Sequence, residues 1–238
     1  MKPWALLTGG RSGIGRAIAQ ELSMTHHIVF ISRDPLELNT QIQTLKDPKG
    51  HKVFKCDLKD LKETEYLMQE ICKDYKIETF IHCAGINYVS YAKHFDYTQM
   101  MECANVNLYA AMVIIKYLLK KPAKDYLKQI IFISSISARK AKAGDGLYAS
   151  TKGGLDAYMR ALSQELAPQI RVNSILPGTI FDTQTTQKIF TQAQKAELLK
   201  QYPLGEGHCE DIAGGVRFLL QNKWITGQEL IIDGGFCV

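Results

Sequence analysis

Short apolar runs alternate with longer amphipathic stretches along the whole of this 238-residue chain. Several of the runs are continuously apolar and rich in β-branched residues, as are strands that are covered on both faces. The stretches between them repeat apolar residues at helical spacing. This order predicts an α/β fold, with one doubly wound parallel sheet of about seven strands and helices on both faces. The predicted strands are 4–8, 27–32, 52–57, 78–85, 129–135, 171–178 and 228–233, and the predicted helices are 13–24, 34–46, 61–74, 97–121, 146–167 and 210–221.

One segment interrupts the alternation. Residues 181–208 are polar, rich in Thr and Gln, and end in a turn that contains Gly and Pro. Such an insertion acts either as a lid over a substrate or as an ordinary connecting pair of helices. The chain has no internal repeat, low-complexity tract or linker, so residues 1–238 are predicted to form a single domain.

The charge of the chain is modest. The formal net charge is +5, and the Lys and Arg residues are scattered rather than gathered in a dense stripe. A nucleic-acid groove needs a denser basic surface, so no nucleic-acid partner is expected. The small excess supports a mild preference for anionic ligands.

The cysteines and the hydropathy indicate the compartment. The six cysteines form no CxxC pair and no compact Cys/His ligand set, which argues against a metal site. Flanked by apolar residues, they suit a reducing cytosol. No uncharged apolar run is long enough to span a bilayer, and the first apolar run is too short for a signal peptide. The sequence therefore predicts a cytoplasmic protein without a metal or a membrane anchor.

A glycine-rich turn, "TGGRSGIG", follows the first predicted strand and opens the first helix. Its glycines have the spacing GxxxGxG. Glycine permits a tight turn and lets a pyrophosphate approach the helix N-terminus, where exposed N–H groups favour an anion. The strand–turn–helix context makes this a predicted dinucleotide site. Its predicted contacts are Gly9, Arg11, Ser12, Gly13, Ile14 and Gly15.

Eight motifs in order extend this pattern over essentially the whole chain: "TGGRSGIG", "CDLKD", "HCAGI", "ANVNL", "ISSIS", "YASTK", "RVNSILPG" and "WITGQELIIDGG". Together they resemble the short-chain dehydrogenase/reductase family, and most closely its β-ketoacyl carrier-protein reductases. The resemblance implies a Rossmann-type fold. It also implies a catalytic tetrad, carried over as Asn107, Ser135, Tyr148 and Lys152.

Each tetrad position makes chemical sense. Tyr148 and Lys152 are four residues apart and share a helix face, so the ammonium is expected to lower the pKa of the phenol. The phenol would then exchange a proton with a carbonyl or an alcohol, while the Ser135 hydroxyl orients the reacting oxygen. Ser134 and Ser137 are rivals for that role. Asn107, with Asn105 as its neighbouring rival, would hold a water in the proton relay or simply mark a kink in the helix.

The resemblance also implies further cofactor contacts. Besides Tyr148 and Lys152 they are Asp57, Leu58, Cys83, Ala84, Gly85, Pro177, Gly178 and Ile180. Two positions depart from the family pattern. Cys83 replaces an Asn that ties neighbouring strands, and Asp182 replaces a Thr that contacts the nicotinamide, with Thr183 one position later. Asp57 has a second interpretation as a helix N-cap, although Asp60 suits that role better.

The end of the second strand predicts the choice of dinucleotide. Ser32 stands where NAD-specific members have an acid, and Arg33 follows it. A guanidinium suits a 2′-phosphate, and Arg11 would add a second cation. Asp34 would restore an acid if the register were shifted, but with Pro35 it fits the start of a helix. The predicted cofactor is NADP(H).

The predicted function is NADPH-dependent reduction of a ketone, and the resemblance implies a 3-oxoacyl thioester as that ketone. A sugar, a polyol or another small ketone is the alternative substrate, and a non-catalytic NADP-binding sensor is the alternative class. An acyl-carrier protein is a weakly supported partner. Family members dock it with arginines whose places here hold Tyr126 and residues 168–169, so Lys124, Lys128, Arg139 and Lys140 would have to substitute. The resemblance implies a homotetramer or a dimer. The apolar faces of helices 97–121 and 146–167 either pair between subunits or cover only the sheet, and Gly153 and Gly154 would allow close packing on neighbouring helices or on another subunit.

Overall fold

The computed structural model describes residues 2–183, 186 and 191–237. Seven strands form one sheet, and every neighbouring pair is parallel. The strands are β1 (Trp4–Thr8), β2 (His27–Ser32), β3 (Lys52–Lys55), β4 (Ile77–His82), β5 (Gln129–Ile133), β6 (Arg171–Pro177) and β7 (Glu229–Ile232). The predicted α/β fold with a Rossmann-type sheet is therefore confirmed.

The helices lie between the strands, as the alternation predicts. They are α1 (Gly13–Ser23), α2 (Pro35–Ile42), α3 (Leu61–Asp74), α4 (Tyr97–Ala104), α5 (Ala110–Leu118), α6 (Gly146–Leu166), α7 (Gln192–Leu199) and α8 (Cys209–Gln221). The prediction of one helix over 34–46 was wrong at its end. The chain leaves α2 after Ile42 and turns, with the Lys46 N–H donating to the Ser23 hydroxyl 3.2 Å away.

The prediction of one helix over 97–121 was also wrong. A π-helical turn, Asn105–Tyr109, separates α4 from α5. In it the Ala110 N–H bonds the Asn105 carbonyl five residues back, which accommodates one extra residue. Such turns are frequent at functional sites. Here the turn carries both asparagines that the sequence singled out.

The strand order is β3-β2-β1-β4-β5-β6-β7. The direction of winding reverses between β1 and β4, so the loops after these two strands diverge. A crevice opens at such a point, beyond the carboxyl ends of the strands, and doubly wound sheets bind ligands there. The glycine turn follows β1 and the "HCAG" segment ends β4, so both predicted cofactor segments border this crevice.

Neighbouring residues of each strand pack on opposite faces of the sheet. In β1, Leu6 belongs to a core shared with α3, α5 and α6, and Leu7 belongs to a core shared with α1, α2 and α8. Phe80 and Ile81 divide in the same way in β4. This double coverage explains why the strands read as continuous apolar runs.

A third apolar cluster lies at the carboxyl edge of the sheet. It joins the turn after β5 and the end of β6 to the segment containing α7 and to the C-terminus, through Ile136, Leu176, Phe181, Leu198, Tyr202 and Phe236. The Tyr202 and Phe236 rings stack with their centres 4.8 Å apart. Part of the predicted lid segment, residues 184–185 and 187–190, lies outside the described residues.

Two further observations concern the described residues alone. No helix among them is both long and apolar enough to cross a membrane. Nor do residues 2–183, 186 and 191–237 gather three His, Cys, Asp or Glu side chains in a way that could hold a metal ion.

Candidate active site

The backbones after β1 and β4 approach each other closely. Gly9 has a φ of +72°, and a Cβ there would lie 2.6 Å from the Ala84 nitrogen. A Cβ on Gly15 would lie 2.0 Å from the Gly9 carbonyl oxygen. Gly13 also has a positive φ, +52°. Only glycine fits these three positions, so the turn leaves its backbone N–H groups open at the start of α1.

The start of α1 suits a pyrophosphate. Ser12 is the N-cap residue, but its side chain makes no capping hydrogen bond. No acidic residue lies in the first turn of the helix to repel an anion. Ile14 lies next to the core that α1 shares with α2 and α8. The residues present therefore fit a dinucleotide phosphate at the predicted position.

Ser135 and Tyr148 lie together beyond the end of β5. Ser135 follows the strand in an extended conformation and accepts from the Ser137 N–H, 3.1 Å away, at the start of a short 3₁₀ turn. Tyr148 lies in the first turn of α6, near enough to Ser135 for that hydroxyl to favour its ionised form. The rival Ser134 is turned away, because its buried hydroxyl donates to Asp156 Oδ2 at 2.8 Å.

Lys152 lies one turn after Tyr148 and is almost completely buried. Its Nζ donates to the Ile133 carbonyl at 2.8 Å and lies 5.8 Å from the centre of the Tyr148 ring. Burial lowers the pKa of this ammonium. A Cβ on Gly85 would lie 3.4 Å from the same Nζ, so a predicted cofactor residue and a predicted catalytic residue meet here.

Our expectation of a lowered pKa for Tyr148 was wrong for the polypeptide alone. Burial raises the pKa of this phenol to about 12, and the Ser135 hydroxyl offsets only part of that rise. The geometry explains the difference, since Lys152 directs its ammonium to the Ile133 carbonyl rather than to the phenol. A phenol that stays protonated near neutral pH can donate a proton, as the reduction of a carbonyl requires.

Asn107 is fully buried in the π-helical turn and holds the loop after β4 at two points. Its Oδ1 accepts from the Ile86 N–H at 2.8 Å, and its Nδ2 donates to the Ile86 carbonyl at 3.0 Å. Nδ2 also lies 3.0 Å from the Thr151 hydroxyl, next to Lys152 in α6. The rival Asn105 instead donates to the Lys59 carbonyl at 2.8 Å. The geometry therefore separates the two asparagines.

The ends of β2 and β3 form the predicted adenosine side. Arg33 is exposed after β2. Asp34 accepts from the Glu37 N–H and caps α2, with Pro35 in the first turn, as expected. Asp57 accepts from the Lys59 N–H at 3.1 Å, next to the buried Leu58.

Two further carboxylates occupy this side. Asp60 caps α3, accepting from the N–H groups of Lys62 and Glu63, which matches the preference for it over Asp57. Arg11 was expected to be a second cation for a 2′-phosphate. Its guanidinium is paired with Glu37, in the first turn of α2.

Asp182 and Thr183, after β6, have different neighbours. The Asp182 carboxylate turns towards α8, where it accepts from Cys209 Sγ at 3.1 Å. A Cβ on Gly13 would lie 3.1 Å from Thr183 Cγ2. Thr183, and not Asp182, therefore borders the glycine turn.

The loop that follows Pro177 is held in place by Tyr202. The Thr179 N–H donates to its hydroxyl at 2.9 Å, and a Cβ on Gly178 would contact its ring at 3.1 Å. Ile180 is buried and pairs with Gly207 in a single parallel bridge. No local pattern marks Tyr202, because its partners are separated from it by the polar segment.

The sequence analysis also missed His82, the last residue of β4. It is fully buried, with Nδ1 2.9 Å from the Thr8 hydroxyl of β1. It supplies the link between neighbouring strands that we expected to be lost at Cys83. Cys83 itself packs against a core cluster, and burial raises the pKa of its thiol to about 12, so it stays protonated.

Comparisons with known proteins agree with this geometry. A family model described as enoyl-(acyl carrier protein) reductase matches residues 9–237. The 3-oxoacyl-[acyl-carrier-protein] reductase of Mus musculus is 32% identical over 231 residues, covering 95% of this chain and 94% of that protein.

Solved structures are similar over the full length of the chain. A short-chain dehydrogenase/reductase from Brucella melitensis has a TM-score of 0.90 at 26% identity, covering 100% of both chains. ElxO with NADP bound has a TM-score of 0.87 at 26% identity, covering 99% of both chains. With its glycine turn, parallel sheet and Ser-Tyr-Lys arrangement, this chain belongs to the short-chain dehydrogenase/reductase family.

Proposed function

We propose that this protein is an NADPH-dependent oxidoreductase that reduces a ketone to an alcohol, with a 3-oxoacyl thioester as its substrate class. One observation carries the proposal. The hydroxyls of Ser135 and Tyr148 lie near each other at the carboxyl edge of the sheet, with a buried ammonium one helical turn away. A sensor module would need no such pair. The named function of the carrier-protein reductase relatives supports the choice of substrate.

The residues of this chain would have the following roles in the reaction. The glycine turn and the N-terminus of α1 hold the dinucleotide phosphates, and Lys152 and Gly85 lie where the nicotinamide ribose is expected. Bound NADPH supplies the hydride. The Ser135 hydroxyl orients the substrate oxygen, and Tyr148 donates its proton to that oxygen. The raised pKa keeps this proton in place until the oxygen becomes more basic.

The NADP(H) preference rests on the exposed Arg33 and on Ser32 in place of an acid. ElxO, which has NADP bound, supports the same choice. The pairing of Arg11 with Glu37 does not remove this preference. An ion pair at the surface contributes only about 0–1 kcal/mol, so a 2′-phosphate can compete for the guanidinium.

An acyl-carrier protein is the partner that the 3-oxoacyl thioester implies. Of the four basic residues considered, Lys124 and Lys128 precede β5 and lie at the amino edge of the sheet. Arg139 is bound to the Glu229 carboxylate. Lys140 follows β5 at the carboxyl edge, where its ammonium bonds the Phe236 carbonyl at 2.9 Å. We assign the contact with an acidic carrier to Lys140.

We further propose a cytoplasmic homo-oligomer, a tetramer or a dimer, built from one domain that spans the chain. All six cysteines are free thiols, which suits a reducing compartment. Exposed apolar residues on α4 and at the end of the π-helical turn, including Tyr97, Met100, Met101 and Tyr109, support pairing between subunits. The segment 181–208 acts as the substrate lid, since Tyr202 and Leu198 pack against Phe236 and the turn after Ser135.

The test is a panel of carbonyl substrates, and the decrease in NADPH absorbance measures the turnover of each one. It compares acetoacetyl thioesters of coenzyme A and of carrier protein with diketones and keto-sugars. We expect turnover to be fastest on the thioesters, and kcat/KM to be higher with NADPH than with NADH. Turnover of keto-sugars alone would favour the alternative substrate class. Tight NADPH binding without turnover of any carbonyl would favour the sensor, and equal kcat/KM with NADH would overturn the cofactor assignment.

A further inference from the structure

The His82 side chain links the end of β1, at the carboxyl edge of the sheet, to the π-helical turn. Its Nδ1 lies 2.9 Å from the Thr8 hydroxyl, and its Nε2 lies 3.1 Å from the Val106 carbonyl oxygen. The Thr8 hydroxyl lies in turn 3.3 Å from the Ala84 nitrogen. Thr8 and His82 have no exposed surface, so these hydrogen bonds form without competition from water.

The partners fix the direction of every hydrogen bond in this chain of groups. A carbonyl oxygen can only accept, so Nε2 carries the hydrogen and donates it to Val106. Nδ1 is then the acceptor, and the Thr8 hydroxyl donates to it. The Thr8 oxygen remains free to accept from the Ala84 N–H. An imidazolium would place a second hydrogen at Nδ1, so the Thr8 hydroxyl would have to accept there and its own hydrogen would lose its acceptor.

The two ends of this chain of groups lie in different parts of the proposed site. Ala84 contacts Gly9 in the glycine turn, and Val106 immediately precedes Asn107 in the π-helical turn. Asn107 returns to the loop after β4 by holding both backbone groups of Ile86. The loop and the turn are therefore joined twice, once by the imidazole and once by the amide.

We infer that His82 is a positioning residue, whose neutral Nε2–H imidazole sets the turn that carries Asn107 relative to the loop that carries Gly85. The inference rests on the proposed function, in which Asn107 and Gly85 belong to the site. Burial and, to a smaller extent, the nearby Lys152 ammonium lower the pKa of His82 to about 3, so the imidazole stays neutral at physiological pH.

Two substitutions separate the two ends of the imidazole. In His82→Gln the longer amide can place its nitrogen near the position of Nε2 and donate to Val106. In His82→Asn the shorter amide reaches Thr8 but not Val106. We expect kcat to fall at least tenfold in His82→Asn and less than threefold in His82→Gln, with the dissociation constant of NADPH within twofold of wild type in both. Equal losses of kcat in the two variants would overturn the inference.

Two readouts do not depend on turnover. Nitrogen-15 NMR of His-labelled protein should show His82 as the neutral Nε2–H tautomer, with and without NADPH. Hydrogen exchange of the Ile86 amide should accelerate in His82→Asn relative to the core amides of β5, but not in His82→Gln. An Nδ1–H tautomer, an imidazolium, or uniform acceleration of all amides contradicts the inference. Since neither readout needs a substrate, its failure is distinguishable from a failure of the proposed reaction.

Discussion

Glu37 binds the guanidinium of Arg11 across the gap between α2 and the glycine turn. The pair brings a carboxylate to the side of the crevice where a 2′-phosphate is expected. It also explains how an arginine inside the turn is held before any cofactor binds. Both side chains are partly exposed, so the pair is weak enough to be exchanged.

Removing that carboxylate should strengthen NADPH binding. In Glu37→Gln we expect the KM for NADPH to fall up to about fivefold, since a surface pair contributes about 1 kcal/mol at most. The KM for NADH should stay the same. The control is Glu65→Gln, which removes a comparable surface pair with Lys116 far from the turn. A KM for NADPH that is unchanged in Glu37→Gln would show that Arg11 does not meet the phosphate.

Substitutions of two tyrosines of α6 test whether Tyr148 is the proton donor. Tyr148→Phe should lower kcat by about 10²–10⁴-fold, because the variant has no hydroxyl to protonate the substrate oxygen. The dissociation constant of NADPH, measured by fluorescence titration, should change little. Tyr158→Phe is the matched control, since this tyrosine of α6 stacks on Phe132 in the core. Full activity in Tyr148→Phe would place the acid elsewhere.

Adjacent serines after β5 give a second matched pair. Ser135→Ala should lower kcat by about 10–10²-fold, through loss of one hydrogen bond to the reacting oxygen. Ser134→Ala removes the donor to the buried Asp156 carboxylate. It should therefore lower the free energy of unfolding by about 1–3 kcal/mol and leave kcat nearly unchanged. Steady-state kinetics and urea unfolding of both variants check this, and the reverse pattern would exchange the two roles.

The buried histidines should make the folded protein less stable at acidic pH. Burial and the Lys2 charge lower the pKa of His26 to about 4, and burial also lowers the pKa of His82 and of His51. A histidine whose pKa is depressed by folding contributes stability above its unfolded pKa of about 6.5. That contribution is lost as the pH falls from there towards the folded pKa.

For His26 the loss between pH 6.5 and pH 5 is at most about 2 kcal/mol. Urea unfolding at pH 7 and pH 5 gives the free energy of unfolding that each protein loses on acidification. The difference in this loss between wild type and His26→Asn is the contribution of His26. We expect the variant to lose less stability on acidification than wild type. An equal loss in the two proteins would mean that His26 is not the group that titrates.

Two neighbouring glycines of α6 give a test of assembly. A Cβ on Gly154 would lie 3.1 Å from Leu108, whereas a Cβ on Gly153 meets nothing within 4 Å in the single chain. Gly153→Ala should stabilise an isolated helix by up to about 1 kcal/mol. If α6 of a second copy packs there, the methyl group instead weakens the oligomer. We expect the molar mass from light scattering to fall on dilution of Gly153→Ala, and not of Gly214→Ala, an equally open glycine of α8.

The strands and the glycine turn could be predicted because their signals are local. Leu6 and Leu7 are adjacent apolar residues of one run, and each is buried on its own face of the sheet. The start of α2 could be predicted for the same reason, since Asp34 and Pro35 carry the capping pattern within two residues. Each of these signals needs only its neighbours along the chain.

The features that could not be predicted depend on groups far apart in sequence. The Val106 carbonyl accepts from His82, 24 residues away, and nothing in the local pattern marks either partner. The π-helical turn likewise forms where Asn107 finds both backbone groups of Ile86. The expectation for Tyr148 failed because the direction of the Lys152 side chain is set by the end of β5 rather than by the shared helix face.

The pairing of β1 with β4 has a consequence for the synthesis of the protein. Trp4–Thr8 leaves the ribosome first, but its partner Ile77–His82 follows only after β2, β3 and three helices. Until then one edge of β1 exposes unpaired backbone groups, which makes the nascent half-sheet prone to association with other chains. Once residue 85 has emerged, the glycine turn and its Ala84 contact are complete, long before Tyr148 is made. The residues that would hold the dinucleotide phosphates are therefore synthesised well before those that would carry out the reaction.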